Sequence, residues 1–454
     1  MRRWALIGAL LAAVALWPGA ASADRLRVRA NPYVLGQAAD WLDRRHVVYH
    51  DPVGRDEGGD GGVHIYSAAL SGRGRRCLTC GLDGPNQVPV VRPGGRWILF
   101  HSWSGRQARL GGAGFGGIGS DVWVMTRDGR RRTNLTAGPE LSDNFHAYWS
   151  PDGRHLAWTA LNWNSAAGGD GRSEIHVARF DPRGPRLVGE HVVRPGNGHW
   201  YETQWWAPDG SGFLYTETTG TAIDPELFFC RLPDPDRGRC RPSRLTRNPA
   251  WDEQAVFTPA MDRVVFMSSR GLPGAYGDWS RVARILDLPA RFDYVLILSV
   301  FSDSFLQPVL GQATDLWSQR VRWSGGRARV RPVGRPERLT RTGERGWIVP
   351  EFAWDPSGRR LLWTENRYPP DVRLDQACML RRLRAGFIER LSGVDGVGEI
   401  PSGIDGEIRD SVAELLRDPS GYARRAPGCG GTRPGTPGRF EQRTRVARLV
   451  RGSR

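Results

Sequence analysis

The chain has 454 residues, of which 39% are hydrophobic and 25% charged, so it is neither collagen-like nor wholly disordered. Glycine (58), proline (32) and tryptophan (19) are abundant, and this composition favours many short β-strands joined by turns over long helices. The net charge is +16, yet half of it arises in the last 34 residues, so the charge alone does not indicate nucleic-acid binding.

The amino terminus has the features of an export signal. Two arginines precede an apolar run over residues 4–17, and Ala21-Ser22-Ala23 offers small residues at the positions that a signal peptidase needs. The run is too short to span a bilayer, which takes about 20 residues. We therefore predict a signal peptide over residues 1–23 and a mature, periplasmic or extracellular protein without a transmembrane span.

A repeat follows. It consists of an aromatic residue, a Pro-Asp-Gly turn and a short apolar strand, and its best copies read WSPDGRHLAW at 149–158 and WAPDGSGFLY at 206–215. Weaker copies lie at 41–49, 91–100, 257–266 and 354–363. Proline presets the first turn angle, and glycine accepts the positive φ that closes a hairpin. Six hairpins spaced by 51–58 residues, with one interval of 97, are typical of propeller blades.

A second unit recurs between these hairpins, most clearly at residues 121–136, where DVWVMT is followed by a turn and RTNLT. Two hairpins per repeat make a four-stranded blade. We therefore predict an all-β fold, a six-bladed β-propeller over residues 24–370. Residues 25–29 are expected to supply the outer strand of the last blade, whose inner strands lie within 351–365.

Three segments do not fit the repeat. Residues 271–313 account for the long interval and are interpreted as an insertion, in preference to a seventh blade or a membrane-seeking loop. Residues 371–420 form a C-terminal appendix, partly helical because 410–417 has the spacing of an amphipathic turn. Residues 421–454 hold nine arginines and one acid, and we expect a disordered, solvated arm.

Six cysteines in an exported chain favour disulfides. Cys230 and Cys240 flank a turn-rich tip and are expected to clamp a hairpin, while Cys77 and Cys80 form a C-x-x-C pair. Cys378 and Cys429 remain as further partners. A redox or zinc role for the C-x-x-C pair is the alternative, although no second close pair of zinc ligands is present in the sequence.

The repeat resembles the blades of TolB-type β-propellers, which read roughly DIWVM-x-x-DG-x-x-RRLT and WSPDGR-x-IAF. The match is closest at residues 121–136 and 149–158 and covers most of residues 40–366. The resemblance implies a periplasmic protein-binding role. The chain departs from that family because its blades begin almost at the predicted cleavage site, with no room for the TolB amino-terminal α/β domain.

The expected ligand site is the mouth of the propeller channel, where the innermost strands begin. Converging carboxylates there would bind a cation such as Ca²⁺ or a basic peptide, whereas the alternative is that they only solvate a wet channel. His101, His146 and His199 are a much weaker indication of a transition-metal site. The predicted site residues are Asn86, Gln87, Asn144, His146, Tyr201, Glu202, Asp252, Glu253 and Glu351.

Motifs for catalysis are absent from the sequence: there is no G-x-S-x-G elbow, no H-E-x-x-H and no Walker loop. We therefore favour a binding scaffold for a protein or peptide of the cell envelope, without a catalytic residue or resident cofactor and without a nucleic-acid partner. The rival is a polysaccharide lyase or hydrolase that uses the channel carboxylates and His146 with a bound metal. A third hypothesis is a binder of anionic surfaces that acts through the arginine-rich tail.

Overall fold

A computed structural model describes residues 25–31, 36–51, 63–83, 85–102, 120–137, 142–162, 173–193, 195, 201–218, 225–272, 313–325, 329–349, 351–367 and 441–450. These residues form six four-stranded antiparallel sheets. The sheets are the blades of a β-propeller, so the predicted fold class is confirmed. The only helical element described is a 3-10 turn at Gly343–Arg345.

The strands follow the chain in simple order. β1 (Arg25–Asn31) belongs to the last blade. Blade 1 contains β2 (Gln37–Trp41), β3 (His46–Asp51), β4 (His64–Ala69) and β5 (Arg76–Cys77). Blade 2 contains β6 (Asn86–Val91), β7 (Trp97–Ser102), β8 (Asp121–Thr126) and β9 (Arg132–Asn134). Blade 3 contains β10 (Ser142–Trp149), β11 (His155–Asn162), β12 (Ser173–Asp181) and β13 (Arg186–Val193).

The second half of the ring repeats this arrangement. Blade 4 contains β14 (Tyr201–Trp206), β15 (Gly212–Thr218), β16 (Pro225–Arg231) and β17 (Arg241–Arg244). Blade 5 contains β18 (Asp252–Phe257), β19 (Arg263–Ser268), β20 (Asp315–Ser324) and β21 (Arg329–Arg338). Blade 6 contains β22 (Phe352–Trp354), β23 (Leu361–Arg367) and β24 (Glu441–Val450), with β1 as its outer strand.

Blade 6 closes the ring with both ends of the described chain. The order β1-β24-β23-β22 places β1 on the outside, as the sequence predicts, but the third strand comes from the arginine-rich tail. The expectation of a solvated arm is therefore wrong for Glu441–Val450. Arg443 and Arg445 both pair with the buried carboxylate of Glu365 on β23. Part of the positive charge of the tail is therefore compensated by an acid within blade 6.

Threonine side chains explain the recurring Leu-Thr pairs. At the start of each of four third strands, a main-chain N–H donates to a threonine hydroxyl that follows the fourth strand. In blade 2, for example, Val122 donates to Thr136 at 2.9 Å, and in blade 5 Leu316 donates to Thr340 at 3.0 Å. Blades 1 and 4 repeat the contact with Thr79 and Thr246. The motif therefore ties the outer hairpin together by satisfying a buried N–H.

Tryptophan side chains connect neighbouring blades. The indole of Trp149 in blade 3 donates to the carbonyl of Val90 in blade 2, and that of Trp206 in blade 4 donates to Tyr148 in blade 3. Trp41 in blade 1 reaches back to Ala353 in blade 6 in the same way. These rings are buried between neighbouring sheets.

The ring has two faces. The entry face, as we call it, carries the beginnings of first and third strands and the ends of second and fourth strands. The turn face carries the tight turns within each hairpin. β19 pairs directly with β20, so the predicted insertion joins neighbouring strands of blade 5. Residues 273–312 themselves, the signal segment 1–23 and the appendix 371–420 lie outside the described residues.

Two disulfides are present in the described part of the chain. Cys230 in β16 bonds Cys240 just before β17, as predicted for a clamped hairpin. Cys77 bonds Cys80 with their Cα atoms 5.7 Å apart. Cys378 and Cys429 lie outside the described residues. Disulfides are consistent with an oxidising compartment.

Candidate functional site at the channel entry

Four of the nine predicted site residues come together near the centre of the ring. His146 lies in β10, Glu202 in β14, Glu253 in β18, and Glu351 immediately before β22. They therefore come from blades 3, 4, 5 and 6, close to the beginnings of the innermost strands on the entry face. We call these four residues the channel cluster.

Bulges in the innermost strands direct these side chains. The pairing register slips between Phe145 and Tyr148 in blade 3 and between Glu253 and Ala255 in blade 5. Similar slips occur in the first strands of blades 1, 2 and 4. His146 and Gln254 take positive φ angles of 49° and 46° at these slips. A bulge changes which residue of an alternating strand points inward.

The strained backbone at His146 is held by blade 4. The hydroxyl of Thr203 donates to the carbonyl of His146, and the main-chain N–H of Thr203 donates to Thr159 at 2.9 Å. The Thr159 and Thr203 hydroxyls also lie 3.2 Å apart. A positive φ in a residue other than glycine costs free energy and persists only where neighbours enforce it. Blade 4 therefore holds the main chain of His146 through the Thr203 hydroxyl.

Glu202 lies at the middle of the cluster. Its Oε1 is 2.5 Å from Nδ1 of His146, and it also accepts long hydrogen bonds from the amides of Gln204 and Gln254, at 3.4 and 3.5 Å. The side chain of Glu202 is buried, with 2% of its surface exposed. Two amides and one imidazole thus surround a buried acid.

The side chain of Glu253 is buried next to that of Glu202. Burial raises the pKa of Glu253 well above its ordinary value, and repulsion from Glu202 together with a hydrogen bond between the two carboxyls adds to the rise. The Trp251 indole donates to Oε2 of Glu253 at 2.7 Å and acts in the opposite direction. One proton shared by two carboxyls relieves their repulsion.

Glu351 has a similar environment. Burial is the main reason that the pKa of Glu351 is raised to about 8. Repulsion from Glu202 and Glu253 adds to this rise, whereas attraction to His146 opposes it. The Tyr148 hydroxyl acts as a neighbour that lowers the pKa of Glu351. The pKa of Tyr148 is itself raised well above its usual range, by burial first and then by the three glutamates. The charged groups that most affect these acids are therefore other acids and one histidine.

Blades 1 and 2 place two buried histidines near the channel cluster. His50 of blade 1 and His101 of blade 2 are buried, and the His101 ring stacks on that of His146 with centroids 5.6 Å apart. Burial lowers the pKa of His50 to about 3 and that of His101 well below its ordinary value. The pKa of His146 is also lowered by burial, against the pull of Glu351 and Glu253. These imidazoles are therefore neutral near pH 7.

The other five predicted residues do not join the cluster. Asn86 accepts from Ser102, and Asn144 accepts from the Trp158 indole. Asp252 accepts from Ser268 and pairs with Arg270, and burial raises its pKa to about 6. Tyr201 packs against Tyr215, while Gln87 pairs with His101 across the strands.

The channel cluster does not form a compact metal cage. Among the described residues, the only three acid, histidine or cysteine groups with ligand atoms within 4.8 Å of one another are His64, Cys77 and Cys80. Both sulfurs of that group are in a disulfide, so they are not thiolate ligands. The glutamates of the channel cluster are therefore not within this distance of one another as a group of three, and the Ca²⁺ site stays a prediction. His199 lies outside the described residues.

Sequence reasoning missed several neighbours of the cluster, namely Tyr148, Gln204, Gln254, Trp251 and His50. Gln204 and Gln254 follow their glutamates by two and one positions, so a pattern of Glu and Gln before the repeat's aromatic residue was available as a signal. His50 lies in a second strand, and no pattern in the first strands indicates it.

Several solved structures are similar to this chain. The putative TolB of Agrobacterium tumefaciens aligns at 16% identity over 56% of this chain and 82% of its own, with a TM-score of 0.37. An oligogalacturonate lyase of Vibrio parahaemolyticus aligns at 15% identity over 50% of this chain and 60% of its own, with a TM-score of 0.33. The periplasmic gluconolactonase of Pseudomonas aeruginosa aligns at 12% identity over 68% and 76%, with a TM-score of 0.36.

The six four-stranded blades confirm the propeller architecture that the sequence predicts, and the function of this chain does not follow from its fold. No protein-family model matches the sequence, and no curated protein matches it. Within the described part of the chain, no helix is both long and apolar enough to cross a membrane.

Proposed function

We propose that this protein is an exported, non-enzymatic propeller of the cell envelope whose channel cluster binds a cationic group of a protein or peptide partner. The observation that carries the proposal is the convergence of three glutamates from consecutive blades, Glu202, Glu253 and Glu351, in a buried site where they repel one another. Burying like charges is unfavourable unless a group of opposite charge compensates for them.

A cationic side chain fits this chemistry better than a neutral one. An arginine or lysine near the carboxyls supplies the opposite charge that lowers a raised acid pKa. Binding then shifts Glu253 and Glu351 from the protonated to the charged form and releases protons. Charge-assisted hydrogen bonds of this kind contribute about 1.5–3 kcal/mol each. The expected ligand is thus an arginine or lysine side chain, or an amino terminus, presented on the entry face.

The test is titration calorimetry with short peptides that carry one central arginine, compared with the same peptides carrying citrulline. We expect the arginine peptides to bind, with proton release seen as a dependence of the heat on the buffer's ionisation enthalpy. In the Glu202→Gln, Glu253→Gln, Glu351→Gln variant, the affinity should fall at least tenfold, about 1.4 kcal/mol.

The matched control removes the same number of acids from the surface. Asp83, Glu190 and Glu344 are exposed, and the variant Asp83→Asn, Glu190→Gln, Glu344→Gln should bind the arginine peptides like the wild type. Equal binding of arginine and citrulline peptides, or an equal loss of affinity in both triple variants, contradicts the proposal.

A second candidate function is a channel enzyme acting on acidic oligosaccharides. The contact between Nδ1 of His146 and Glu202 favours it, because a neutral imidazole beside a carboxylate can act as a general base. A screen of the purified protein on uronic-acid oligomers decides between the two. Product formation that is lost in Glu202→Gln, without a change in folding, supports the enzyme instead of the scaffold.

A further inference from the structure

A second charged site lies on the turn face, away from the channel cluster. It is an open cleft of about 940 Å³ formed mainly by the turns of blades 1 and 2. The turns that line it are β2–β3, β4–β5, β6–β7 and β8–β9, with Pro182 from blade 3 at one side. We call it the arginine cleft. Its five arginines are Arg76, Arg96, Arg127, Arg130 and Arg131.

The cleft has a strong excess of positive charge. All five arginines are exposed, and Asp128 is the only acid in its lining. Asp128 lies 3.5 Å from Nε of Arg130, so it offsets one arginine. The pKa of nearby Arg92 is lowered by burial and by repulsion from Arg96, against the attraction of Asp152.

Main-chain carbonyls orient two of the arginines, Arg76 and Arg127. Nη2 of Arg76 donates to the carbonyl of Asp128 at 2.9 Å, and Nη1 of Arg127 donates to the carbonyl of Leu42 at 3.1 Å. Nη2 of Arg127 also pairs with Asp43 at the rim. The carbonyl contact orients the Arg76 guanidinium but leaves its charge, whereas Asp43 offsets the charge of Arg127.

Two arginines are available to a ligand. Within the part of the chain that the structure describes, the guanidiniums of Arg96 and Arg131 make no hydrogen bond and no ion pair. They project from the β6–β7 and β8–β9 turns. Gly94 in the first of these turns has no atom within 4 Å of the place where a Cβ would stand, whereas Gly95 faces the Arg127 guanidinium at 3.0 Å. The turn is therefore open at Gly94.

The cleft's size and walls select the kind of ligand. Its volume is in the range of small-molecule pockets, about 300–1,000 Å³. Two aromatic rings line the cleft: Trp97 is 6% exposed and offers no face on which a base can stack, and the His46 imidazole is paired with Asp43. Guanidinium groups bind phosphate and carboxylate in a bidentate manner. We propose that the arginine cleft binds a small polyanion that carries several phosphate or carboxylate groups.

The experiment uses tripolyphosphate and trigalacturonate as probes, with affinity measured by calorimetry at 0.1 M salt. We expect binding of one or both probes, with an affinity that falls at higher salt because the contacts are ionic. In Arg96→Glu, Arg131→Glu the affinity should fall at least tenfold. The matched control, Arg322→Glu, Arg331→Glu, changes the same number of exposed charges in blade 5 and should alter it less than about twofold.

The outcomes are separable. Equal losses in both double variants, or no binding of either probe by the wild type, overturn the proposal. So does binding confined to anionic lipid vesicles or to a DNA duplex, which would assign the cleft to a macromolecular surface. If the glutamate variant does not fold, as seen by circular dichroism, Arg96→Ala, Arg131→Ala provides the same comparison. Failure here leaves the channel cluster untouched, because its test uses peptides and different residues.

Discussion

Nδ1 of His146 lies 2.5 Å from Oε1 of Glu202, across the boundary between blades 3 and 4. His146 has a positive φ, and Glu202 is a buried acid. Thr203, the residue after Glu202 in blade 4, donates a hydrogen bond from its hydroxyl to the carbonyl of His146. The strained main chain of His146 and the buried carboxyl of Glu202 therefore lie next to each other, and residues of blade 4 contact both the main chain and the imidazole of His146. Strained backbone of this kind often accompanies a functional site.

The first prediction concerns that backbone. His146→Asn and His146→Val both remove the imidazole, but asparagine tolerates a left-handed backbone and a β-branched valine does not. We expect the valine variant to be less stable than the asparagine variant by about 1–3 kcal/mol. Urea unfolding measures the difference. Equal stabilities would show that residue 146 relaxes out of the positive φ region.

The second prediction concerns the pH dependence of Glu351. Its pKa rises from 4.5 to about 8 on folding, so the native state holds a proton that the unfolded state loses in this interval. The contribution of Glu351 to stability is thus greatest below pH 4.5 and is lost as the pH rises toward 8. Glutamine cannot ionise, so Glu351→Gln should become more stable relative to the wild type with rising pH, by on the order of a few kcal/mol at pH 8.5.

Urea unfolding of both proteins at pH 5.5, 7.0 and 8.5 checks this trend. The control is Glu344→Gln, because Glu344 is exposed and pairs with Arg338 and Arg341. That variant should show no gain at high pH. A stability difference between Glu351→Gln and the wild type that stays constant over the three pH values would contradict the raised pKa.

The third prediction concerns the closure of the ring by β24. Glu365 is buried and pairs with Arg443 and Arg445 from that strand. Replacing both arginines by methionine leaves an uncompensated buried acid, and we expect a loss of about 3–5 kcal/mol. Adding Glu365→Gln removes the uncompensated charge and should restore part of the loss. A double-mutant cycle by denaturant unfolding measures the coupling, and additive effects would mean that the pairs contribute nothing.

The fourth prediction concerns the Cys230–Cys240 disulfide, which closes a short loop over a hairpin of blade 4. Cross-linking a loop of this length lowers the conformational entropy of the unfolded chain and so stabilises the folded state by about 2–3 kcal/mol. Cys230→Ser, Cys240→Ser should lower the free energy of unfolding by that amount without a reductant. In the presence of a reductant, the wild type should approach the variant. A wild type unaffected by reduction would contradict a role for this bond.

The sequence by itself determined the six blades, the entry of β1 into the last blade and the Cys230–Cys240 bond. Each depends on local chemistry: Pro-Asp-Gly turns, alternating strands and cysteines at the ends of one hairpin. It did not reveal β24, because arginines at 443, 445 and 448 look solvated until Glu365, about 80 residues earlier, is placed opposite two of them.

Only the tertiary structure decided which candidates meet at the channel. In an alternating strand, a shift of one residue exchanges the inward and outward faces, and bulges in five of the innermost strands make such shifts. His146, Glu202 and Glu253 consequently converge with Glu351, which precedes β22 in a blade without such a shift. Asn86, Asn144 and Asp252 are instead engaged between strands. The arginine cleft also depends on tertiary structure, because its five arginines come from three separate turns that the packing of blades 1 and 2 brings together.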